Sequence, residues 1–269
     1  MVNGSVVVAV GDVICSAEQQ AIADGSSSEC QSEATAAVAK SLSPNAVLLA
    51  GDIQYERGRS AEFADGYDTS AWASLKDVTH ASPGNHEYST PNAAPYFAEF
   101  GRPPSGRSWY SFDVGGWHVI SLNSNCTPAG GCGAGSPQET WLRADLAASS
   151  AKCTLAFWHH PRWSSGLHGS DESMETLWAD LADADAEVVI GGHDHHYERF
   201  AAERGVRQFV VGTGGRSLYP TFNSEQASEV QNSTTFGVLE LKLGEDAYSW
   251  RFVPIQGRSF TDSGTTACH

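Results

Sequence analysis

The amino-acid sequence predicts an α/β fold, and three observations support that prediction. Five short apolar runs, rich in β-branched residues, each lead to a polar residue that can bind a metal ion. Helix-like segments lie between these runs, and strands that alternate with helices are typical of α/β domains. Further along the chain, paired apolar segments around glycine turns indicate antiparallel strands. We therefore expect a sheet with parallel strands together with a second sheet that contains antiparallel pairs.

The apolar runs predict strands that are buried on both faces, because they are continuous rather than alternating. They occupy residues 6–10, 46–50, 78–79, 155–158 and 188–190. The polar residues to which they lead are Asp12, Asp52, Asn85, His159 and His193. Glycines precede most of these residues and allow the backbone to turn tightly at the strand end.

Helices are predicted between the runs, at residues 32–42, 71–75, 94–100, 138–147 and 173–181. The fourth of them has a clear start signal, since Ser136 can cap it, Pro137 suits the first helical position and Glu139 lies three residues after the cap. Asp171 or Ser173 can cap the last helix in the same way.

Antiparallel strands are predicted for the remaining apolar segments. Residues 109–114 and 117–122 flank Gly115-Gly116, a pattern that indicates a β-hairpin. Further strands are expected at residues 206–211, 236–243 and 248–253. We find no internal repeat and no interdomain linker, so residues 1–269 are expected to form one domain.

The charge of the chain excludes some partners. Its 269 residues carry a formal net charge of -16, and such a field repels nucleic-acid polymers and anionic lipid surfaces. No apolar stretch reaches the roughly 18–20 residues that a membrane-spanning helix needs. We therefore expect no nucleic-acid polymer, no membrane and no obligate protein partner.

The six cysteines indicate disulfide bonds, because they are even in number and lack the spacing of a zinc knuckle. Local spacing favours Cys15–Cys30 and Cys126–Cys132, which leaves Cys153 for Cys268. Fifteen pairings are formally open, and the alternative is six reduced thiols in a cytosolic protein. Disulfides predict a secreted or periplasmic protein. Residues 1–5 lack signal-peptide features, so we interpret the chain as a mature form with Met1 added.

The polar residues at the strand ends predict a metal site. In open α/β sheets, ligands gather at the carboxyl ends of the strands, so these side chains are expected along one rim. Carboxylate oxygens and imidazole nitrogens together suit zinc, iron or manganese. The segment from His193 to His196 adds alternating histidines, which project in the same sense from an extended chain. Taken singly, each motif also fits a turn, a helix cap or an interior histidine.

Together these motifs resemble those of the calcineurin-like metallophosphoesterases, and within them the purple acid phosphatases. The matching segments are Gly11-Asp12, Gly51-Asp52-Ile53-Gln54-Tyr55, Gly84-Asn85-His86-Glu87, Trp158-His159 before Pro161, and Gly192-His193-Asp194-His195. The spacing of Asp52 and Tyr55 points to the purple acid phosphatase branch, in its short form. Ile14 stands where the family's first motif carries a glycine. The resemblance implies a four-layer α/β/β/α sandwich, with two mixed sheets flanked by helices.

The resemblance also implies a dinuclear metal centre. One ion would be held by Asp12, Asp52, Tyr55 and His195, and the other by Asp52, Asn85, His159 and His193. Family precedent is Fe(III) in the first position with Zn(II), Mn(II) or Fe(II) in the second. A di-zinc or di-manganese pair beside an ordinary buried Tyr55 is the alternative, judged from ligand preference.

The activity implied is hydrolysis of small organic phosphate esters by attack of a metal-bound hydroxide. His86 is the expected general acid or phosphate-orienting group; alternatively it only braces the site. Loop residues expected to contact substrate are His160, His168 and Tyr219. A phosphodiesterase or nucleotidase could use the same centre, and a catalytically silent metal- or phosphate-binding protein is the third reading.

Overall fold

The computed structural model describes residues 2–22, 29–103, 106–222 and 224–269, so Met1 lies outside the described residues. In this part of the chain, thirteen strands form two mixed sheets. The strands are β1 (Ser5–Val10), β2 (Ala46–Ala50), β3 (Thr79–Ser82), β4 (Tyr110–Val114), β5 (Trp117–Ser121), β6 (Thr154–Phe157), β7 (Val188–Gly191), β8 (Tyr197–Phe200), β9 (Arg207–Val211), β10 (Ser228–Asn232), β11 (Gly237–Leu243), β12 (Ala247–Pro254) and β13 (Ser263–Ala267).

The first sheet has six strands in the order β13-β12-β11-β1-β2-β3. Strands β1, β2 and β3 are parallel, whereas β11 pairs antiparallel with both β1 and β12. The second sheet has the order β10-β8-β9-β7-β6-β5-β4, and β5, β6, β7 and β9 are its parallel strands. Strand β4 forms the predicted hairpin with β5.

Helices cover the outer faces of the two sheets. They are α1 (Ala17–Ile22), α2 (Ser32–Ser41), α3 (Ser60–Asp65), α4 (Ala94–Phe100), α5 (Cys126–Ala129), α6 (Pro137–Ala148) and α7 (Glu175–Asp183). Short 3₁₀ helices occupy Tyr67–Thr69, Ala71–Val78, Glu87–Ser89, Pro91–Ala93 and Glu172–Met174. Helix α6 begins at the predicted cap, because the Ser136 hydroxyl accepts a hydrogen bond from the Glu139 amide at 3.2 Å.

Alternate residues of β6 and Trp158, the residue that follows it, show how the layers stack. Leu155 and Phe157 pack into the core between the two sheets, while Ala156 and Trp158 face a second core under α6 and α7. This alternation follows from the two-residue period of a strand. The core between the sheets joins Val7 of β1 to Phe209 of β9. The expected four-layer arrangement of two mixed sheets flanked by helices is confirmed.

The three expected disulfides are present: Cys15–Cys30, Cys126–Cys132 and Cys153–Cys268. The third ties the residue after β13 to the residue before β6 and so joins the edge of one sheet to the middle of the other. Among the described residues, none of the helices combines the length and apolar character needed to cross a bilayer.

Two details of the sequence interpretation need correction. Residues 71–75 belong to a 3₁₀ helix that extends to Val78, rather than to an α-helix. The five predicted runs are also divided between the sheets, since β1, β2 and β3 lie in the first and β6 and β7 in the second. The rim that carries the polar residues is therefore formed where the two sheets meet.

Candidate metal centre

Three of the strand ends carry a residue in the left-handed backbone region. Asp12 follows β1 with φ of 61°, Asp52 follows β2 with φ of 46°, and His193 follows β7 with φ of 70°. This conformation is uncommon for residues other than glycine and costs on the order of 1–3 kcal/mol each. Such conformations cluster at functional sites, because the surrounding fold holds the side chains in place.

The Tyr55 hydroxyl lies at the middle of a first cluster of side chains. It donates a hydrogen bond to Asp12 Oδ1 at 2.7 Å and lies 3.3 Å from Asp52 Oδ2. His195 Nε2 lies 3.0 Å from the same hydroxyl and 3.3 Å from Asp12 Oδ1. The other three residues that the resemblance implies for the first ion thus all lie within hydrogen-bonding distance of the Tyr55 hydroxyl.

A second cluster surrounds His159 Nε2. This nitrogen lies 3.2 Å from Asp52 Oδ2, 3.0 Å from Asn85 Oδ1 and 3.1 Å from His193 Nδ1. Asp52 Oδ2 belongs to both clusters, because it also contacts the Tyr55 hydroxyl. One carboxylate oxygen therefore lies between two groups of potential metal ligands.

Backbone carbonyls orient two of the histidines. His159 Nδ1 lies 2.8 Å from the carbonyl oxygen of Ala50, and His195 Nδ1 lies 2.8 Å from that of Ser217. A ring N–H that donates to a carbonyl leaves the other nitrogen free to bind a metal ion. In both residues the remaining nitrogen, Nε2, faces the cluster.

The site concentrates negative charge in a buried place. Asp12 and Asp52 are almost fully buried, and their ion pairs among the described residues are with histidines alone. Burial would raise the pKa of Asp52, but the charge and hydrogen bond of His159 outweigh it and hold that pKa well below its usual range. Burial and the charges of Asp12 and Asp52 raise the pKa of Tyr55 well above its usual value.

Neighbouring groups shift the pKa values of the histidines in opposite directions. Burial opposes protonation of His159, yet the Asp52 carboxylate raises its pKa to about 9. Asp12 similarly outweighs burial and raises the pKa of His195. Burial and the nearby His159 and His160 lower the pKa of His193. Cations are thus favoured beside both carboxylates.

The donor set fits a pair of metal ions. It contains two buried carboxylates, one phenol, one amide oxygen and three imidazoles, a mixture that suits zinc, iron or manganese. Ligand atoms of Asp12, Asp52 and His159 all lie within 4.8 Å of one another. His160 forms a similar group with His159 and His193, so it can also face an ion.

His86 lies at the open side of the centre. Its amide donates to Asp52 Oδ1 at 2.9 Å, and its Nδ1 lies 2.6 Å from the carbonyl oxygen of Glu56. The Nε2 atom is 3.8 Å from Asp52 Oδ2, and 28% of the side chain is exposed. This nitrogen is therefore close to the cluster and accessible to a ligand.

The residues expected to contact substrate all lie beside the predicted metal ligands. The rings of His160 and His168 are centred 4.4 and 4.3 Å from the ring of His193. Tyr219 stacks on His195 at 4.6 Å and donates its hydroxyl hydrogen to the carbonyl of His193 at 3.0 Å. Burial lowers the pKa of His160 to about 3, and the Ser124 hydroxyl lies 2.8 Å from its Nδ1.

Glu87 supports the centre from behind, a role that no sequence pattern predicted. Its buried carboxylate accepts hydrogen bonds from the backbone amides of Asp52, Ile53, Gln54 and Gly84. Burial and the Asp52 charge raise its pKa to about 7. Glu87 thereby joins the loop after β2 to the loop after β3. The only sequence signal was an acidic residue directly after Asn85-His86.

Asp194 and Glu198 support the loop at residues 164–169. The buried carboxylate of Asp194 accepts hydrogen bonds from the amides of His168 and Gly169 and from the Ser164 hydroxyl. Glu198 accepts hydrogen bonds from the amide and hydroxyl of Ser165 and lies 2.9 Å from His196 Nε2. The His196 imidazole therefore contacts the carboxylate that holds this loop.

Comparison with known proteins agrees with this geometry. A family model described as calcineurin-like phosphoesterase matches residues 5–197, which include every residue of the two clusters. The chain belongs to the calcineurin-like phosphoesterase family. This family depends on a dinuclear metal centre, although some of its members are inactive.

Individual relatives point to the purple acid phosphatase branch. The chain is 35% identical to purple acid phosphatase 22 of Arabidopsis thaliana over 124 residues, which cover 40% of this chain and 27% of that protein. An uncharacterized protein of Mycobacterium tuberculosis is 28% identical over 255 residues, covering 85% of this chain and 46% of the relative. The chain thus spans less than half the length of these curated relatives.

Among solved structures, a purple acid phosphatase from yellow lupin (Lupinus luteus) seeds has the same fold. It superimposes with a TM-score of 0.81 over 99% of this chain and 54% of the lupin protein, at 18% sequence identity. The match shows that the two mixed sheets and their flanking helices form a metallophosphoesterase sandwich.

Proposed function

We propose that this protein is a phosphomonoesterase that hydrolyses small organic phosphate esters at a dinuclear metal centre. The observation that carries the proposal is the position of Asp52 Oδ2, which lies 3.3 Å from the Tyr55 hydroxyl and 3.2 Å from His159 Nε2. A carboxylate oxygen in that place can bridge two ions. The remaining proposed ligands are Asp12, Tyr55 and His195 for one ion and Asn85, His159 and His193 for the other.

The proposed ions are Fe(III) beside Tyr55 and Zn(II), Mn(II) or Fe(II) in the other position. Tyr55 supports this choice, because a phenolate is a hard anionic ligand that favours a ferric ion, and its oxygen lies 2.7 Å from Asp12 and 3.0 Å from His195. A di-zinc or di-manganese pair is the alternative, with Tyr55 as a neutral neighbour.

The protein's own residues would orient the ester and move a proton. When bound, the ions would supply positive charge for the phosphate oxygens and lower the pKa of water. His86 would donate a proton from Nε2 to the leaving oxygen. Its Nδ1 contacts the carbonyl oxygen of Glu56 and its backbone amide donates to Asp52 Oδ1, so Nε2 is the ring nitrogen left for this role. His160, His168 and Tyr219 would line the approach of the phosphate group.

A small anionic substrate is compatible with the acidic chain. The net charge of -16 opposes polyanions. Local ion charge governs a metal site, and two ions would outweigh Asp12 and Asp52. We therefore propose a small phosphate ester as partner and propose a secreted or periplasmic location, which the three disulfides support.

The test is a comparison of phenyl phosphate with bis-phenyl phosphate, using the metal-loaded protein and an Asp52→Asn variant. We expect faster hydrolysis of the monoester and loss of both activities in the variant. Preference for the diester would favour a phosphodiesterase or nucleotidase. No hydrolysis by protein that binds two ions would favour the non-catalytic alternative.

A further inference from the structure

Two large apolar side chains are exposed on the loops that carry His168 and Tyr219. Leu167 is 57% exposed and Phe222 is 62% exposed, and they are the large hydrophobic residues with exposed side chains in the described part of the chain. Leaving apolar surface in water costs a free energy of about 25 cal/mol per Å², so a ligand that covers these side chains would gain from their burial. Single exposed apolar residues are common on proteins, so their position relative to each other and to the site is what matters.

The two residues lie on loops that are hydrogen-bonded to each other. The Phe222 amide donates to the carbonyl of Ser165 at 3.1 Å, and the Glu225 amide donates to the Ser165 hydroxyl at 2.9 Å. The Ser170 hydroxyl donates to Glu225 Oε1 at 2.7 Å. Leu167 and Phe222 are therefore displayed by one connected pair of loops, which we call the apolar rim.

The apolar rim adjoins the candidate metal ligands. Leu167 directly precedes His168, whose ring lies 4.3 Å from the ring of His193. Phe222 follows three residues after Tyr219, whose ring stacks on His195 at 4.6 Å. The loops that display the apolar rim are therefore the same loops that place His168 and Tyr219 against candidate ligands.

The loop that carries Leu167 is held firmly in place. On its inner side, Asp194 accepts hydrogen bonds from the amides of His168 and Gly169, and Glu198 accepts one from the amide of Ser165. Both carboxylates are fully buried. The exposure of Leu167 is thus a property of a loop with a defined conformation, and a preorganised surface loses little entropy when it binds a ligand.

We propose that the apolar rim binds the leaving group of the phosphate ester and selects esters whose alcohol carries an aromatic ring. This inference rests on the proposed function and specifies its substrate class. The immediate surroundings of the centre are imidazoles, carboxylates and hydroxyl groups, so Leu167 and Phe222 supply the apolar surface that a ring can cover. Phe222 can also pack edge-to-face or offset against an aromatic ring.

The test compares 2-phenylethyl phosphate with ethyl phosphate. Both leaving groups are primary alcohols of similar acidity, so the pair differs mainly in the ring. The test variant carries both Leu167→Ser and Phe222→Ser. The matched control carries both Leu167→Met and Phe222→Leu, which keeps the rim apolar. A second measurement is calorimetric binding of benzylphosphonate and methylphosphonate to the metal-loaded protein, which requires no turnover.

We expect the parent protein to have the higher kcat/KM for 2-phenylethyl phosphate. The serine variant should lose at least about fivefold in kcat/KM for that ester and in affinity for benzylphosphonate, with little change for ethyl phosphate and methylphosphonate. The control variant should retain the preference. Equal effects on both members of each pair, or no preference in the parent, would overturn the inference. If neither ester is hydrolysed, the proposed function fails and phosphonate binding still decides the role of the rim.

Discussion

The hydroxyl of Tyr55 lies 2.7 Å from Oδ1 of Asp12, although the two residues are 43 positions apart in the sequence. The backbone between them explains this proximity. The Ile14 amide donates to the carbonyl of Ile53, and the Tyr55 amide donates to the carbonyl of Ile14. The loops after β1 and β2 are therefore hydrogen-bonded side by side. Ile14 takes part in this alignment through both its amide and its carbonyl.

We expect Glu87→Gln to destabilise the protein and reduce its metal content. The Glu87 carboxylate accepts hydrogen bonds from four buried backbone amides, whereas a glutamine has one oxygen acceptor and an NH₂ group that faces donors. The free energy of unfolding should fall by about 1–3 kcal/mol. Urea unfolding and metal analysis measure the two effects.

Glu62→Gln is the matched control for that variant. Glu62 also accepts hydrogen bonds from backbone amides, those of Arg57 and Arg59, but it is only half-buried and neither amide belongs to a proposed metal ligand. It should change stability less and leave the metal content at the parent level. Equal losses in the two variants would contradict the role given to Glu87.

We expect His86→Ala to lower turnover by about 100-fold or more, with metal content retained, because general acid catalysis contributes on this scale. The residue contacts Asp52 through its backbone amide, which alanine preserves. His118→Gln, at the far end of β5, is the control and should keep the parent kcat. Unchanged turnover in His86→Ala would refute the proton-donor role.

The pH dependence of stability should include a contribution from His118. The hydrogen bond to Asp145, at 2.7 Å, and a second contact with Asp113, at 3.2 Å, outweigh burial and raise the pKa of His118 above 6.5. A raised folded-state pKa gives stability that is fully present below pH about 6.5 and is lost as the pH rises through the folded value. The amount should not exceed about 1 kcal/mol, because Asp113 is largely solvent-exposed.

Thermal unfolding of His118→Gln across this range measures that contribution. The difference in Tm between parent and variant should be largest at acidic pH and shrink as the pH rises above 6.5. A difference that grows with pH would show that His118 acts in another way.

Removing the Cys153–Cys268 disulfide should cost more stability than removing the Cys126–Cys132 disulfide. It closes a separation of 115 residues, compared with 6 for Cys126–Cys132. In the chain-entropy model these values correspond to about 5 and about 2 kcal/mol, respectively. Urea unfolding of the double serine variants compares them, and a larger loss for the short loop would contradict this ranking.

Most strands could be predicted from the sequence, and the exceptions have physical explanations. Strands β10 (Ser228–Asn232) and β13 (Ser263–Ala267) were not predicted, because both are edge strands of polar or small residues without an apolar run. Strand β8 (Tyr197–Phe200) was missed because it directly follows the histidine segment. The division of the parallel strands between two sheets depends on pairing partners that no local pattern reveals.

The ligand candidates were easier to predict than their supports. Asp52 and His193 follow apolar runs and glycines, so strand ends identify them. Glu87 and Asp194 act by accepting hydrogen bonds from backbone amides of other loops. Their roles depend on which loops meet in the folded chain, and spacing along the sequence carries no information on that.

Metal analysis combined with a visible absorption spectrum, for the parent and Tyr55→Phe, tests the proposed dinuclear centre most directly. The Tyr55 hydroxyl contacts Asp12, Asp52 and His195, so we expect two ions per chain, at least one of them iron, and a broad purple band that the variant loses. Colourless protein with stoichiometric zinc or manganese would contradict the assignment of Tyr55 to a ferric ion. Parent protein that holds fewer than two ions after reconstitution would contradict the centre itself.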